Sequence, residues 1–290
     1  MGHGRTSTKR AVAGAVLLDL AVSPLFAWDV FTGSLRRELG VSDTLLAGVF
    51  SVGLVAFMVG VLVGGRAADA RSPRLLAVVT AAGTVAGLLG SAAATSPAAL
   101  LVAFGVVLGA STGLGYATAV RVATGTAHAR RGLALSLVVS AYAAGTAVLA
   151  PVAGALLEAV GRGATFVLLA AALGVVLAVA AVLVPGRAPD RRPRPTRRVR
   201  RHPTRPIVAL WLAFGLAGAP ALAAFAQAGE LAAAPSVAAL AVTLLNTGNF
   251  VGRLMAGPLS DLVGRSAALH GNSVVLLVAC VPLAAGYRGP

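Results

Sequence analysis

Long apolar runs separated by short polar stretches dominate this chain. A helix that crosses a bilayer needs roughly 20 mainly apolar residues. Nine runs meet that length, at about 11–33, 44–65, 75–95, 98–120, 132–155, 163–185, 206–228, 236–257 and 267–287. The runs are continuous rather than alternating over about ten residues, so the pattern predicts membrane helices and not a β-barrel. The first run follows Arg5, Lys9 and Arg10, as the apolar part of a signal peptide would. Its length and the eight runs behind it predict a retained first helix instead.

Composition narrows the class. Of 290 residues, 58% are hydrophobic and 11% charged, with a mean hydropathy of +0.88. Soluble domains carry roughly 25% charged residues. A soluble globular domain, a disordered chain and a disulfide-stapled secreted domain are therefore excluded. The single cysteine, Cys280, allows no internal disulfide. The 35 glycines suit helices that approach closely in lipid.

The net charge of +15 resembles a nucleic-acid signal until it is mapped. Nine arginines and one acid, Asp190, lie between Arg187 and Arg205. A basic run beside membrane spans reads as a cytoplasmic anchor, so no nucleic-acid partner is expected. The first ten residues, the 66–74 stretch (Arg66, Arg71, Arg74), Arg130 with Arg131, the 187–205 run and Arg265 all share one side if the spans alternate. That side is then cytoplasmic. Arg36, Arg37, Glu38, Asp43, Glu158, Arg162 and Glu230 fall on the other side, and nine spans place Pro290 outside. The expected location is a bacterial inner membrane, with a cytoplasmic N-terminus.

An internal repeat gives the plan. Gly65-Arg66-Ala67-Ala68-Asp69 follows the second span, and Gly257-Pro258-Leu259-Ser260-Asp261 follows the eighth. The copies are 192 residues apart, and the same offset pairs Gly60 with Gly252. Six spans separate them, which predicts an N-terminal six-helix bundle (1–185), an Arg/Pro-rich cytoplasmic linker (186–205) and three helices of a second bundle (206–290). Two such halves are the plan of a secondary transporter.

The stretch Gly257-Pro258-Leu259-Ser260-Asp261-Leu262-Val263-Gly264-Arg265 resembles the G-x-L-x-D-x-x-G-R loop of the major facilitator superfamily. The first copy is degraded, with Ala67, Ser72 and Pro73 at motif positions. The resemblance implies an all-α membrane fold and a gating role for Asp261 and Asp69, with Gly65, Gly257, Gly264 and Arg265 in the same loops. A narrower resemblance rests on several segments: Ala27-Trp28-Asp29-Val30-Phe31 with Glu38-Leu39-Gly40, Gly113-Leu114-Gly115-Tyr116-Ala117-Thr118-Ala119, Arg130-Arg131-Gly132-Leu133-Ala134, and Asn249-Phe250-Val251-Gly252-Arg253. These are similar to the oxalate/formate antiporter and monocarboxylate carrier branch.

Arg253 is the main candidate for substrate contact. It lies inside the eighth span, where its repeat partner is Val61, so the fold itself does not demand a charge there. An arginine at the bilayer centre costs about 2.5–3.5 kcal/mol on insertion scales. Two readings offset that cost: bidentate binding of a substrate carboxylate, or snorkelling and pairing with an acid. The resemblance implies the first. Asn249, one turn earlier, cannot titrate; related carriers often have Asp there. It can bind substrate or join helices. Tyr116 and Tyr142 offer a phenol to a small carboxylate, or sit at an interface; the resemblance places aromatic residues of these spans in the cavity. Phe26 and Trp28 offer a similar wall from the first span, with Trp28 equally placed to be an outer-interface anchor. Asp19 and Arg121 are intramembrane charges and candidates for coupling, either paired together or separately. Asp29 near the outer end is read as wetted. Ala150-Pro151-Val152-Ala153-Gly154 reads as a helix kink.

The expected protein is thus a non-enzymatic carrier of small organic anions, working by alternating access in the lipid bilayer, with no cofactor and no metal. The family normally has twelve spans. Nine expected spans imply a truncated form, so a truncated, transport-inactive membrane protein or a fragment needing a partner is the alternative reading, and a drug exporter of the same fold the third.

Overall fold

The computed structural model describes residues 2–126, 131–187 and 235–284, together with parts of 205–218. These are helical almost throughout, with no strand among the described residues. Arg130, the 188–204 part of the basic run, Glu230 and most of the seventh expected span lie outside them. Packing divides the chain into two units, Met1–Pro189 and Asp190–Pro290.

In the first unit α1 (Gly2–Ala21) leads through a short 3-10 turn (Pro24–Ala27) into α2 (Asp29–Leu39). The first expected span is therefore broken and not one helix over 11–33. Pro24 lacks an N–H and cannot continue the ladder. Ser23 turns its hydroxyl to the Leu20 carbonyl at 2.8 Å, and Phe26 N donates to Ser23 O at 3.1 Å. Gly40, at φ 62°, ends α2.

Serine caps begin the next three helices. Ser42 accepts from Leu45 N ahead of α3 (Asp43–Ala67), and Ser72 from Leu75 N ahead of α4 (Pro73–Ala93). Ser96 does the same for α5 (Pro97–Leu100), which continues without a break through a π-helical stretch (Leu101–Leu108) into α6 (Gly109–Thr126). In α4 and α5 a proline occupies the first turn, where its missing N–H costs no bond.

The fifth and sixth expected spans form α7 (Arg131–Leu183), sharply turned at Gly161. Its φ of 75° and ψ of 173° belong to a region that glycine enters freely. Arg162, next to that turn, is only 9% exposed.

In the second unit α8 (Pro235–Val263) and α9 (Arg265–Ala284) meet at Gly264, whose φ is 86°. The eighth expected span thus runs past 257, and the second-copy motif is mostly helix rather than loop. Only Gly264 leaves the helical region.

Five described helices are long and apolar enough to cross a membrane, the 53-residue α7 being one. Val55, Leu62, Val148 and Val175 are each more than half exposed. Such an apolar exterior fits lipid, not water. The interior is closed by small residues. α3 crosses α6 so tightly that a Cβ on Gly60 would lie 2.2 Å from Ala110 O, and one on Gly113 would lie 2.1 Å from Phe57 O. Small residues allow this contact, which dispersion and packing reward in lipid.

Candidate functional site

The break after α1 turns Phe26 out of the core. Its ring is 43% exposed and meets Phe50 and Phe57 of α3 edge to face, at 6.2 and 6.4 Å between centroids. Tyr142 of α7 stands 5.5 Å from Phe26, and Tyr116 of α6 stands 6.0 Å from Tyr142. Phe57 also meets both tyrosines, at 5.8 and 6.3 Å. Four elements thus deliver five rings to one patch, mostly in the edge-to-face arrangements aromatic quadrupoles favour, with Phe57 and Tyr116 tilted at 51°. The expected residues Phe26, Tyr116 and Tyr142 come together.

Trp28 does not join them. It is 2% exposed and packs against Phe104 of the π-helical stretch at 4.5 Å. The turn from Pro24 to Ala27 rotates Trp28 away from the face that Phe26 occupies. Phe50 and Phe57 were not among the expected residues. Their spacing of seven places them two turns apart on one helix face, a signal that was available. Phe50 also reaches a cleft of about 230 Å³ between α2 and α3, beside Asp29, Thr32 and the Arg36–Asp43 ion pair.

At the far end of α3 the backbone makes a tight turn, with Ala68 N bonded to Gly64 O and Asp69 N to Arg66 O. The turn presents Asp69 to Arg121 of α6, Nη2 to Oδ1 at 2.7 Å. Arg121, one of the two candidates for coupling, is thus paired with the motif aspartate. Both partners are more than half exposed, at 52% and 62%. Asp19 is fully buried on α1, one turn before Val22. A Cβ on Gly115 of α6 would lie 2.7 Å from both Val22 Cγ1, just after α1, and Thr80 Cγ2 of α4, so α6 packs against both here.

In the second unit Arg253 and Asn249 share one face of α8. Arg253 Nε donates to Asn249 Oδ1 at 2.8 Å. A guanidinium has five N–H donors in a planar fork. The amide takes one edge and so orients the fork, leaving both terminal nitrogens to other acceptors. Asp261 lies two turns further along the same helix, beyond Pro258, and Arg265 opens α9.

Among the described residues, long apolar helices, an apolar exterior and ion pairs near helix ends and turns define a multi-pass helical membrane protein. Residues 15–286 match the model of the Major Facilitator Superfamily, and the chain belongs to that family of secondary transporters. It is also similar to the "Uncharacterized 38 kDa protein in 23S RNA operon" of Thermoproteus tenax, 29% identical over 139 residues. That match covers 48% of this chain and 37% of the relative's length, so the chain aligns with well under half of that protein.

Proposed function

We propose that this transporter moves small organic anions, monocarboxylates or dicarboxylates of the oxalate and formate class, by alternating access. The observation that carries this reading is the Arg253 fork, set by Asn249 through a 2.8 Å hydrogen bond inside an apolar helix. A permanent charge there is costly to insert, and a carboxylate across its two terminal nitrogens offsets the cost. Within the first unit, the patch formed by Phe26, Tyr116 and Tyr142 is a candidate substrate surface in its own right. Asn249 binds no proton, which favours anion exchange over proton symport at that position. Asp69 with Arg121, and Asp261 with Arg265, Gly257 and Gly264, act as gates on the side of the N-terminus, which is cytoplasmic in this reading. Asp19 is the candidate for coupling.

Uptake of labelled oxalate and formate into proteoliposomes tests the assignment. Arg253→Ala is expected to abolish uptake. Arg253→Lys is expected to retain little, because an ammonium lacks the bidentate geometry. Normal uptake by the Ala variant would overturn the reading.

A further inference from the structure

We infer that Arg10 and Arg74 together hold the phosphate of an anionic phospholipid, at the end of the first unit where α4 begins and α7 finishes. The site is separate from the transported anion and does not depend on its identity. Arg10 of α1 and Arg74, the second residue of α4, converge on one acceptor. Arg10 Nη2 donates to Val182 O at 3.1 Å, and Arg74 Nη2 donates to the same oxygen at 3.2 Å. The two nitrogens cannot stand further apart than those bonds laid end to end. Arg74 Nε also donates to Ala181 O at 3.2 Å, and its backbone N to Pro185 O at 3.1 Å. These carbonyls lie in the last turn of α7 or just after it, where intrahelical donors run out. The two guanidiniums are therefore fixed by backbone and not by a carboxylate.

Among the described residues of this unit no acid neutralises the pair. Asp69 is held by Arg121. Glu38 pairs with Arg162, whose Nη1 donates to Ser91 O at the other end of the 21-residue α4. Asp43 pairs with Arg36 at the start of α3, and Asp29 opens α2. Glu158 stands before the Gly161 turn, half of α7 away from Val182. Asp19 is fully buried on α1, roughly 13 Å along the helix from Arg10. Nη1 of Arg74, and Nε and Nη1 of Arg10, donate to no acceptor among the described residues. Like charges held this close repel, and an anion between them turns repulsion into attraction. The oxygens of a phosphate match the planar fork of a guanidinium.

The surface beside the pair points to a lipid as the source of that phosphate. Leu75, Val78 and Val79 follow Arg74 along α4, each about half exposed. Val182, whose carbonyl takes both arginines, is joined on α7 by Val179 and Val175, all about half exposed or more. The spacings of three, four and seven put each trio on one face of its helix. The two helices are neighbours, since a Cβ on Gly174 would lie 3.1 Å from Val85 Cγ2. Both trios run from the arginines toward the middle of the unit. A phospholipid presents the same order: an anionic head and then acyl chains. Basic pockets between membrane helices bind anionic headgroups by this chemistry. Free phosphate would meet the arginines and leave the apolar trios uncovered.

Native mass spectrometry of the full chain in detergent tests the site, with equal amounts of dioleoylphosphatidylglycerol and dioleoylphosphatidylcholine added. The first lipid retained is expected to be phosphatidylglycerol, by a severalfold preference. Arg10→Gln with Arg74→Gln should erase that preference. Arg66→Gln with Arg71→Gln removes the same charge from neighbouring exposed arginines and should keep it. Arg10→Glu alone puts a carboxylate beside Arg74 from the exposed start of α1; it should erase the preference too and serves if the double variant does not fold. Inorganic phosphate in large excess should not displace the lipid. The proposal is overturned by native protein without the preference, by a preference that survives Arg10→Glu or the Arg10 and Arg74 pair of changes, by an equal loss in the Arg66 and Arg71 variant, or by displacement with inorganic phosphate.

Discussion

Arg121 on α6 holds Asp69, in the turn after α3, with Nη2 2.7 Å from Oδ1 across 52 residues of sequence. Both side chains are more than half exposed. An ion pair so placed contributes about 0–1 kcal/mol. Such a contact can open and close in every cycle, as a gate must, without threatening the fold. Asp69→Asn and Arg121→Gln should each cut the rate of uptake severalfold and leave the melting temperature almost unchanged. Exchanging the charges, Asp69→Arg with Arg121→Asp, should restore part of the rate. Large losses of melting temperature with normal uptake would mean that the pair is a structural tie instead.

Phe26 and Trp28 sit two residues apart and should behave oppositely. Phe26 is exposed within the aromatic patch, whereas Trp28 is buried against Phe104. Phe26→Ala should raise the KM for the anion by roughly 2- to 10-fold, the worth of an aromatic contact at about 0.5–1.5 kcal/mol. Trp28→Ala should leave KM unchanged in the protein that folds and lower stability by about 3–5 kcal/mol, as large-to-small core changes do. Transport assays paired with melting curves separate the two effects.

The α3–α6 crossing leaves no room for a side chain at Gly60 or Gly113, where a Cβ would lie 2.2 and 2.1 Å from a carbonyl oxygen. Gly113→Ala should push the helices apart at a cost of about 1–3 kcal/mol, and Gly113→Leu should prevent folding. Gly65→Ala is the control, because nothing lies within 4 Å of its added methyl. Detergent melting curves for the three variants give the comparison, and an unaffected Gly113→Ala protein would contradict this packing.

Hydropathy alone delineated most of the helices, because a run of apolar residues long enough to cross lipid is a helix whatever packs beside it. It missed the break at Pro24 because Leu25, Phe26, Ala27 and Trp28 are as apolar as the helix before them. Hydropathy does not register a missing N–H. Tyr116 and Tyr142 stood out by rarity and do meet. Phe50 and Phe57 were hidden in a run where phenylalanine also suits lipid. The buried contacts of Arg162 are not legible in sequence because its partners, Glu38, Ser91 O and Ala94 O, are 68 to 124 residues away. Asp69 and Arg121 were each singled out, but the choice of partner depends on the turn that ends α3.

Asn249 provides the sharpest test of how Arg253 is presented. Its Oδ1 accepts from Arg253 Nε at 2.8 Å and so fixes the plane of the fork without neutralising it. Asn249→Ala should leave the charge but free the side chain, raising KM with a smaller change in maximal rate, since rotamer freedom must then be lost on binding. Asn249→Asp should be worse, although it is nearly the same shape. Its carboxylate would pair with the guanidinium in an apolar setting, where such attraction is strong, and would compete with the substrate's own carboxylate. The expected order of uptake at low anion concentration is native, then Asn249→Ala, then Asn249→Asp. An Asp variant that transports as well as native would show that Arg253 does not meet the anion as a free cation, and would favour a role for this pair in helix packing.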